Sequence, residues 1–372
     1  MSKFDFKKYS SIENTFDKDF MDRISTEIDA KQEFVVQEKV HGSNVCFVTD
    51  GCDVCFGKRS GFVEPDEKFY DYQELLERYI PKVISLFSIV IDAIPDLKTL
   101  MIFGEMFGGK YPHPEVKNSP QTMVIQKGVH YTPHHEFYAF DLYITTHETG
   151  RFLPLDDTNA FFEQESFFYA KTLFKGTLTE CLNYPDDSPS QIATWLGLPP
   201  IEDNICEGVV IRPVVPLYLR NGARVLLKSK NARFAEKKAV KKRTPKLFIE
   251  PSYSEALNEL LSEIEQYVTE NRLHNVVSKI GHVSVPKDTG KLIGLFSKDI
   301  LDDFLKEYTS EYALIEKSEQ KIVNKHINSL ATNLIKNVYL TSSIWVIFVF
   351  KSSFSLEKLK KMKNIYEKFV YL

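Results

Sequence analysis

Residues 33–60, EFVVQEKVHGSNVCFVTDGCDVCFGKRS, alternate β-branched or aromatic with polar residues, and Asp50-Gly51 stands between two such runs. Glycine after aspartate supplies the positive φ that a tight hairpin turn needs, so the pattern predicts a β-hairpin preceded by a strand and a loop. Further strands are predicted at 99–107 (TLMIFGEMF), 137–144 (FYAFDLYI), 207–212 (EGVVIR) and 223–230 (ARVLLKSK). From Asp66 to Ile94 the apolar residues Phe69, Tyr70, Leu75, Leu76, Tyr79 and Ile80 recur at helical spacing, with Pro81 predicted to break or kink the helix. A helical stretch is expected around 156–195. Strands joined by hairpins with interspersed helices make an α+β domain built on antiparallel sheet.

After residue 245 the texture changes. SEALNELLSEIEQYVTENRLHNVVSKIG and KDILDDFLKEYTSEYALIEKSEQKIVNKHINSLATNLI carry helical periodicity and few turn residues, which predicts a mostly helical C-terminal domain. The expected division is residues 1–245, 246–340, and an extension over 341–372 with no assigned role. Within that extension Ile344–Phe350 reads as a buried strand, far short of the ~20 apolar residues that span a bilayer. No membrane partner is expected.

A chain of 372 residues exceeds the usual single core, in keeping with two domains. Lys plus Arg number 47 against 51 Asp plus Glu, a net charge of −4, so any surface for nucleic acid must be local. Such a place exists at Lys228–Lys246, where KSKNARFAEKKAVKKRTPK holds nine Lys or Arg and one Glu. It is either a solvated linker or a phosphate-facing surface. The five cysteines form no disulfide framework and the N-terminal MSKFDFKKYSSIENTF has no apolar signal core, so an intracellular, reducing setting is expected, the cytoplasm ahead of an organelle or a viral context. Cys52 and Cys55 make one CxxC without a second pair at zinc-ribbon spacing, and the alternation of Val54 and Phe56 suits a strand.

The segment Glu38-Lys39-Val40-His41-Gly42-Ser43-Asn44 takes a lysine off a strand into a glycine turn. A lysine is nucleophilic near neutrality only when burial or neighbouring cations destabilise its ammonium, and glycine lets the backbone approach a ligand closely. One KxxG by itself is a common pattern. Five further segments accompany it: GKRSG at 57, FGEMFGG at 103, FYAFD at 137, EGVVIRP at 207 and LLKSKN at 226.

In order and spacing the six segments resemble the collinear motifs of the covalent nucleotidyltransferases, a superfamily of polynucleotide ligases and RNA capping enzymes. His41 before the motif glycine, where DNA ligases and capping enzymes usually carry Asp, is similar to the RNA ligase 2 family of phages, viruses and kinetoplastid editing complexes. FKKYSSIENTF at 6, YPHP at 111 and VIQKGVHY at 124, LRNGARVLLKSKNARFAEKK at 219 and NRLHNVVSKIGHVSVPKDTGKLIGLFSKDIL at 271 extend that resemblance over residues 6–335.

The resemblance implies an ATP-dependent RNA ligase that seals 3′-OH and 5′-phosphate ends at nicked or bridged duplex RNA, in RNA repair or editing, with Mg²⁺ or alternatively Mn²⁺. It implies Lys39 as the nucleophile toward the α-phosphorus. Lys228 and Lys230, alternate residues of one strand and so on one face, hold the α-phosphate. Glu105 binds the ribose, Phe140 stacks on adenine, and Glu38 is an adenine contact. Asp141 neighbours Phe140 on the opposite strand face. Glu207 holds the metal, which takes hard oxygen ligands. Arg59 contacts nucleotide and end phosphate, Asn44 the phosphate during transfer to RNA, and Arg212 stands where many relatives have Lys. His41 either orients pyrophosphate or fixes its loop. His134 and His135 show no metal-ligand spacing. The rival readings are a DNA ligase or capping-type enzyme and a non-ligating RNA-end-binding protein.

Overall fold

The computed structural model describes residues 3–236, 253–281, 283 and 287–349. Two compact units divide them: 3–235 with 274–281, and 236, 253–273, 283 and 287–349. The first unit is therefore discontinuous in sequence, which a boundary drawn at 245 does not capture.

Two sheets form the first unit. One has five strands in the order β1 (Glu13–Asn14), β11 (Leu227–Lys230), β10 (Gly208–Pro213), β2 (Phe34–Glu38) and β9 (Thr172–Gly176). The other has six, ordered β5 (Gly61–Phe62), β4 (Val54–Lys58), β3 (Ser43–Thr49), β6 (Thr99–Gly108), β7 (His135–Thr145) and β8 (Gly150–Phe152). All neighbours are antiparallel except β1 and β11. The predicted hairpin is β3 and β4, with Thr49 opposite Val54 around Asp50-Gly51. Cys55 falls on β4, as the alternation required.

The central strands of the six-stranded sheet are buried on both faces, so Val45–Val48 of β3 is buried throughout where the sequence pattern predicts alternation. Val45 and Phe47 point toward α2 (Tyr72–Ala93), whose Tyr72, Leu75, Tyr79, Val83, Leu86 and Val90 make one helical stripe. Cys46 and Val48 point the other way, into a cluster with Tyr9, Met101, Phe103, Phe152 and Leu226. Removing a ring such as Phe47 from this core would cost about 3–5 kcal/mol.

Shorter helices complete the unit: α1 (Lys18–Glu27), α3 (Leu155–Gln164), α4 (Leu178–Leu182) and α5 (Ile192–Trp195). Pro81 does not break α2, which runs unbroken through it. Proline leaves the carbonyl four residues earlier without its helical donor, and that residue, Glu77, is exposed, where water can serve it. The stretch expected to be helical around 156–195 contains β9. Its Thr172, Phe174 and Lys175 are exposed at a sheet edge, so no in–out alternation marks it. β11 is shorter than expected, with Arg224 held instead by an isolated bridge to Tyr218.

The second unit is helical: α6 (Glu255–Ile264), the first turn of α7 (Glu270–Ile280), α8 (Thr289–Leu314) and α9 (Lys317–Val349). Its core comes from stripes at four-residue spacing, Leu292, Phe296, Ile300 and Phe304 on α8 and Val323, Ile327, Ala331 and Ile335 on α9. The buried Arg272 guanidinium is held by Asp299 at 2.9 Å and Asp303 at 2.7 Å. Residues 344–349, expected as a strand, continue α9. Extending an existing helix needs no new nucleus, and that cooperativity outweighs local β propensity. Residues 237–246 of the basic stretch and 350–372 of the extension lie outside the described residues. Among the described residues no helix is long and apolar enough to cross a membrane.

Candidate active site

The segment Lys39–Gly42 carries the chain from the end of β2 in one sheet to the start of β3 in the other. Lys39 N–H donates to Gly208 O at 2.9 Å, and Gly208 is in register with Lys230. Glu207 therefore sits just ahead of β10, flanked by the ends of β2 and β11. Its carboxylate is 1% exposed and receives Lys39 Nζ on Oε2 at 2.6 Å and Lys230 Nζ on Oε1 at 3.2 Å. His41 Nδ1 lies 3.5 Å from the same Oε2. Burial alone would raise this carboxyl, but the charges of Lys39 and Lys230, with the His41 ring, hold it well below the usual range.

Two glycines make the convergence possible. A Cβ on Gly42 would stand 2.3 Å from Met106 O, so only glycine lets the loop pass this close to β6. Gly208 has φ +147° and a Cβ there would meet Ser229 O at 2.0 Å.

Glu105, on β6, enters the site from the other sheet, opposite Asn44 in register. Burial pushes its carboxyl up to about 7; Lys39 and Arg59 oppose the rise, Glu207 adds to it, and the Gly42 N–H donates to it. Asn44 Nδ2 is 3.4 Å from Gly104 O. Arg59 lies in the turn between β4 and β5, and its interaction with Glu105 opposes the effect of its own burial. Lys228 shares a strand face with Lys230. Lys39, Arg59, Lys228 and Lys230 against Glu105 and Glu207 leave an excess of positive charge, suited to an anionic ligand.

Phe140 is the extra residue of a β-bulge: Phe103 pairs with Asp141 and Gly104 with Ala139, leaving Phe140 unmatched. Bulges re-aim side chains, and Phe140 keeps a partly exposed ring packed at 5.0 Å against Tyr9.

Two of the expected site residues, Arg212 and Glu38, are engaged by protein partners. Arg212 does not join the lysines; at 2% exposure it donates NH2 to Asp141 Oδ1 at 2.7 Å and NH1 to Phe140 O at 2.8 Å. Val210 pairs with Lys228 and Gly208 with Lys230, so Arg212 shares their strand face, but it lies two residues further along β10, where the buried carboxylate of the other sheet takes its charge. Glu38 is buried with both oxygens taken, by Ser190 Oγ at 2.6 Å and Gln191 N–H at 2.8 Å. Burial pushes its carboxyl up to about 7 despite those two bonds.

The residues that hold the Lys39–Gly42 loop had no signal in the sequence. His41 N–H donates to the buried Tyr131 hydroxyl at 3.0 Å, and its ring packs at 5.5 Å on Phe234, just past β11. Both contacts fix the loop. Tyr131 lay inside VIQKGVHY, which signalled only likeness, and Phe234 inside the basic stretch. His134 and His135 stand at the start of β7, with His135 Nε2 on Met123 O at 2.6 Å.

Among the described residues no cluster of three or more His, Cys, Asp or Glu could enclose a metal. Glu207 nevertheless fits Mg²⁺, which takes one or two protein carboxylates and completes its shell with phosphate and water. It is ionised, buried and beside Lys39.

A strand-end lysine against a buried glutamate at the seam of two sheets is an arrangement that suits covalent nucleotidyl transfer. Residues 32–230 match the RNA ligase family model, and residues 251–333 match the T4 RNA ligase 2 C-terminal model. The chain belongs to the RNA ligase family. It is 30% identical over 336 residues to the mitochondrial RNA-editing ligase 1 of Trypanosoma brucei brucei, covering 76% of this chain and 72% of that protein. With the mitochondrial RNA-editing ligase 2 of the same organism it shares 26% over 359 residues, covering 81% and 83%. A solved Naegleria gruberi RNA ligase with PPi superposes with a TM-score of 0.40 at 15% identity, covering 62% of this chain and 57% of that one.

Proposed function

We propose that this chain is an ATP-dependent RNA ligase that joins 3′-OH to 5′-phosphate RNA ends, at nicks in duplex or bridged RNA. The observation that carries the reading is Lys39 Nζ on Glu207 Oε2 at 2.6 Å, with Lys230 on the other oxygen. Lys39, once deprotonated, attacks the α-phosphorus of ATP, forming a phosphoramidate and releasing pyrophosphate. Lys228 and Lys230 hold the α-phosphate, Arg59 a flanking phosphate, Glu105 the ribose hydroxyls and Phe140 the adenine face. The AMP then passes to the RNA 5′-phosphate, with Asn44 on the phosphate, and the 3′-OH displaces it. Glu207 would hold the divalent metal, which when bound neutralises charge on the transferring phosphoryl group.

The helical second unit and the basic stretch 228–246 read as the grip on the RNA backbone, electrostatic and sequence-independent. The mitochondrial designation of both trypanosome relatives supports an organellar setting. The test of the reading is joining of a nicked RNA duplex carrying a labelled 5′-phosphate, with ATP and Mg²⁺. A sealed strand supports it; a folded chain that neither joins the labelled strand nor adds AMP to its 5′-phosphate would refute it.

A further inference from the structure

Behind Phe140 lies a charge cluster that touches no reacting group. Asp141 is fully buried and its two oxygens take four donors. Oδ1 accepts from Arg212 NH2 at 2.7 Å and Arg224 NH2 at 3.1 Å; Oδ2 accepts from Arg224 NH1 at 2.7 Å and the Tyr9 hydroxyl at 2.6 Å. A carboxylate offers about four lone-pair sites, so Asp141 is saturated. Arg224 contributes two of the four bonds and lies 3.7 Å over the Phe152 ring, a cation–π contact that locks its plane.

The cluster spans the two sheets. Arg212 comes from β10, Asp141 from β7, and Arg224 from the residues leading into β11. Its link to the site is Arg212, whose NH1 holds the carbonyl of Phe140 at 2.8 Å. Arg212 Nε has no hydrogen-bond partner, so the guanidinium is oriented by Phe140 O and Asp141 alone. Asp141 in turn is fixed chiefly by the bidentate Arg224.

Resting on the ligase reading above, we propose that Arg224 is a positioning residue for the adenine-stacking face. Through Asp141 and Arg212 it fixes the bulge that turns the Phe140 ring toward the nucleotide. Tyr9 assists, bonding Asp141 and packing its ring at 5.0 Å on Phe140.

The experiment uses the full chain and measures lysyl-AMP formation against ATP concentration. Arg224→Lys keeps the charge but cannot make the planar two-point contact. The expected result is a rise of about tenfold in half-saturating ATP, as a partly lost base stack would give, with the saturating rate within about threefold. The double variant Arg224→Lys with Phe140→Ala should be no worse than Phe140→Ala alone. Multiplied losses in the double variant, or a fall in saturating rate at unchanged half-saturation, overturn the proposal. If Arg224→Lys does not fold, Tyr9→Phe decides: a smaller rise in half-saturating ATP supports the relay, and an unchanged value refutes it. Wild-type chain that forms no lysyl-AMP would instead refute the functional reading, before any variant is compared.

Discussion

Lys39 and Glu207 meet across the ends of β2 and β10, Nζ to Oε2 at 2.6 Å, although 168 residues separate them in the chain. One carboxylate thereby serves two lysines, Lys39 and Lys230. In the proposed reading the pairing holds the nucleophile beside a phosphate-binding lysine, and a divalent metal would compete for the same oxygens.

Glu207→Gln removes the charge that compensates both lysines and, in the proposed reading, the carboxylate that would hold the metal. Lysyl-AMP formation should fall by about a hundredfold or more, the scale seen when a preorganised electrostatic contact is lost, and excess Mg²⁺ should not restore it. Labelling within threefold of wild type would remove Glu207 from the chemistry.

Gly42→Ala places a methyl where Met106 O stands 2.3 Å away. The loop or β6 must shift, at about 1–3 kcal/mol for overpacking, and Lys39 shifts with it. Denaturant unfolding should show the loss of stability and the labelling assay a larger loss of rate. A variant with unchanged midpoint and rate would show that close approach is not what the glycine provides.

The carboxyls of Glu38 and Glu105 are both pushed up to about 7 from 4.5, mainly by burial. A raised carboxyl stabilises the fold below the unfolded value and loses that contribution as pH rises through the folded one. Glu207 and Asp141 run the other way, and their contribution is lost only in acid. The unliganded chain should therefore lose thermal stability between pH 5 and pH 8, and Glu105→Gln should reduce that drop. The check is Tm at the two pH values; an equal drop in the variant would exclude Glu105 as a source.

A chain ending at residue 245 would lack 274–281, which belong to the first unit. Ser278 O accepts from Ser43 Oγ at 2.6 Å, and Gly281 abuts Phe69. Such a truncation should slow lysine labelling as well as impair RNA sealing, whereas a boundary at 245 taken from sequence predicts sealing alone to suffer. Labelling assays on the truncated and full-length chains distinguish the two.

The parts of the site legible in sequence were those with local signatures. Lys39 and Gly42 lie in one short segment, Lys228 and Lys230 alternate on one strand, and Asp50-Gly51 announced its hairpin. What sequence could not show depended on partners far along the chain. Arg212 carries a charge that suggests phosphate, yet the buried Asp141, 71 residues away, engages it. Tyr131 supports His41 from 90 residues away. β9 went unread because an exposed edge strand has no alternation to display, and 344–349 because a long helix overrides local composition.

The central claim is that Lys39 becomes covalently adenylylated. Incubation with α-labelled ATP and Mg²⁺, denaturing electrophoresis and peptide mapping measures this directly, with Lys39→Ala beside wild type and unlabelled GTP as competitor. The expected result is an acid-labile label on Lys39, absent from Lys39→Ala and undiminished by GTP. A label that persists in Lys39→Ala, or no label on a folded wild-type chain, would contradict it.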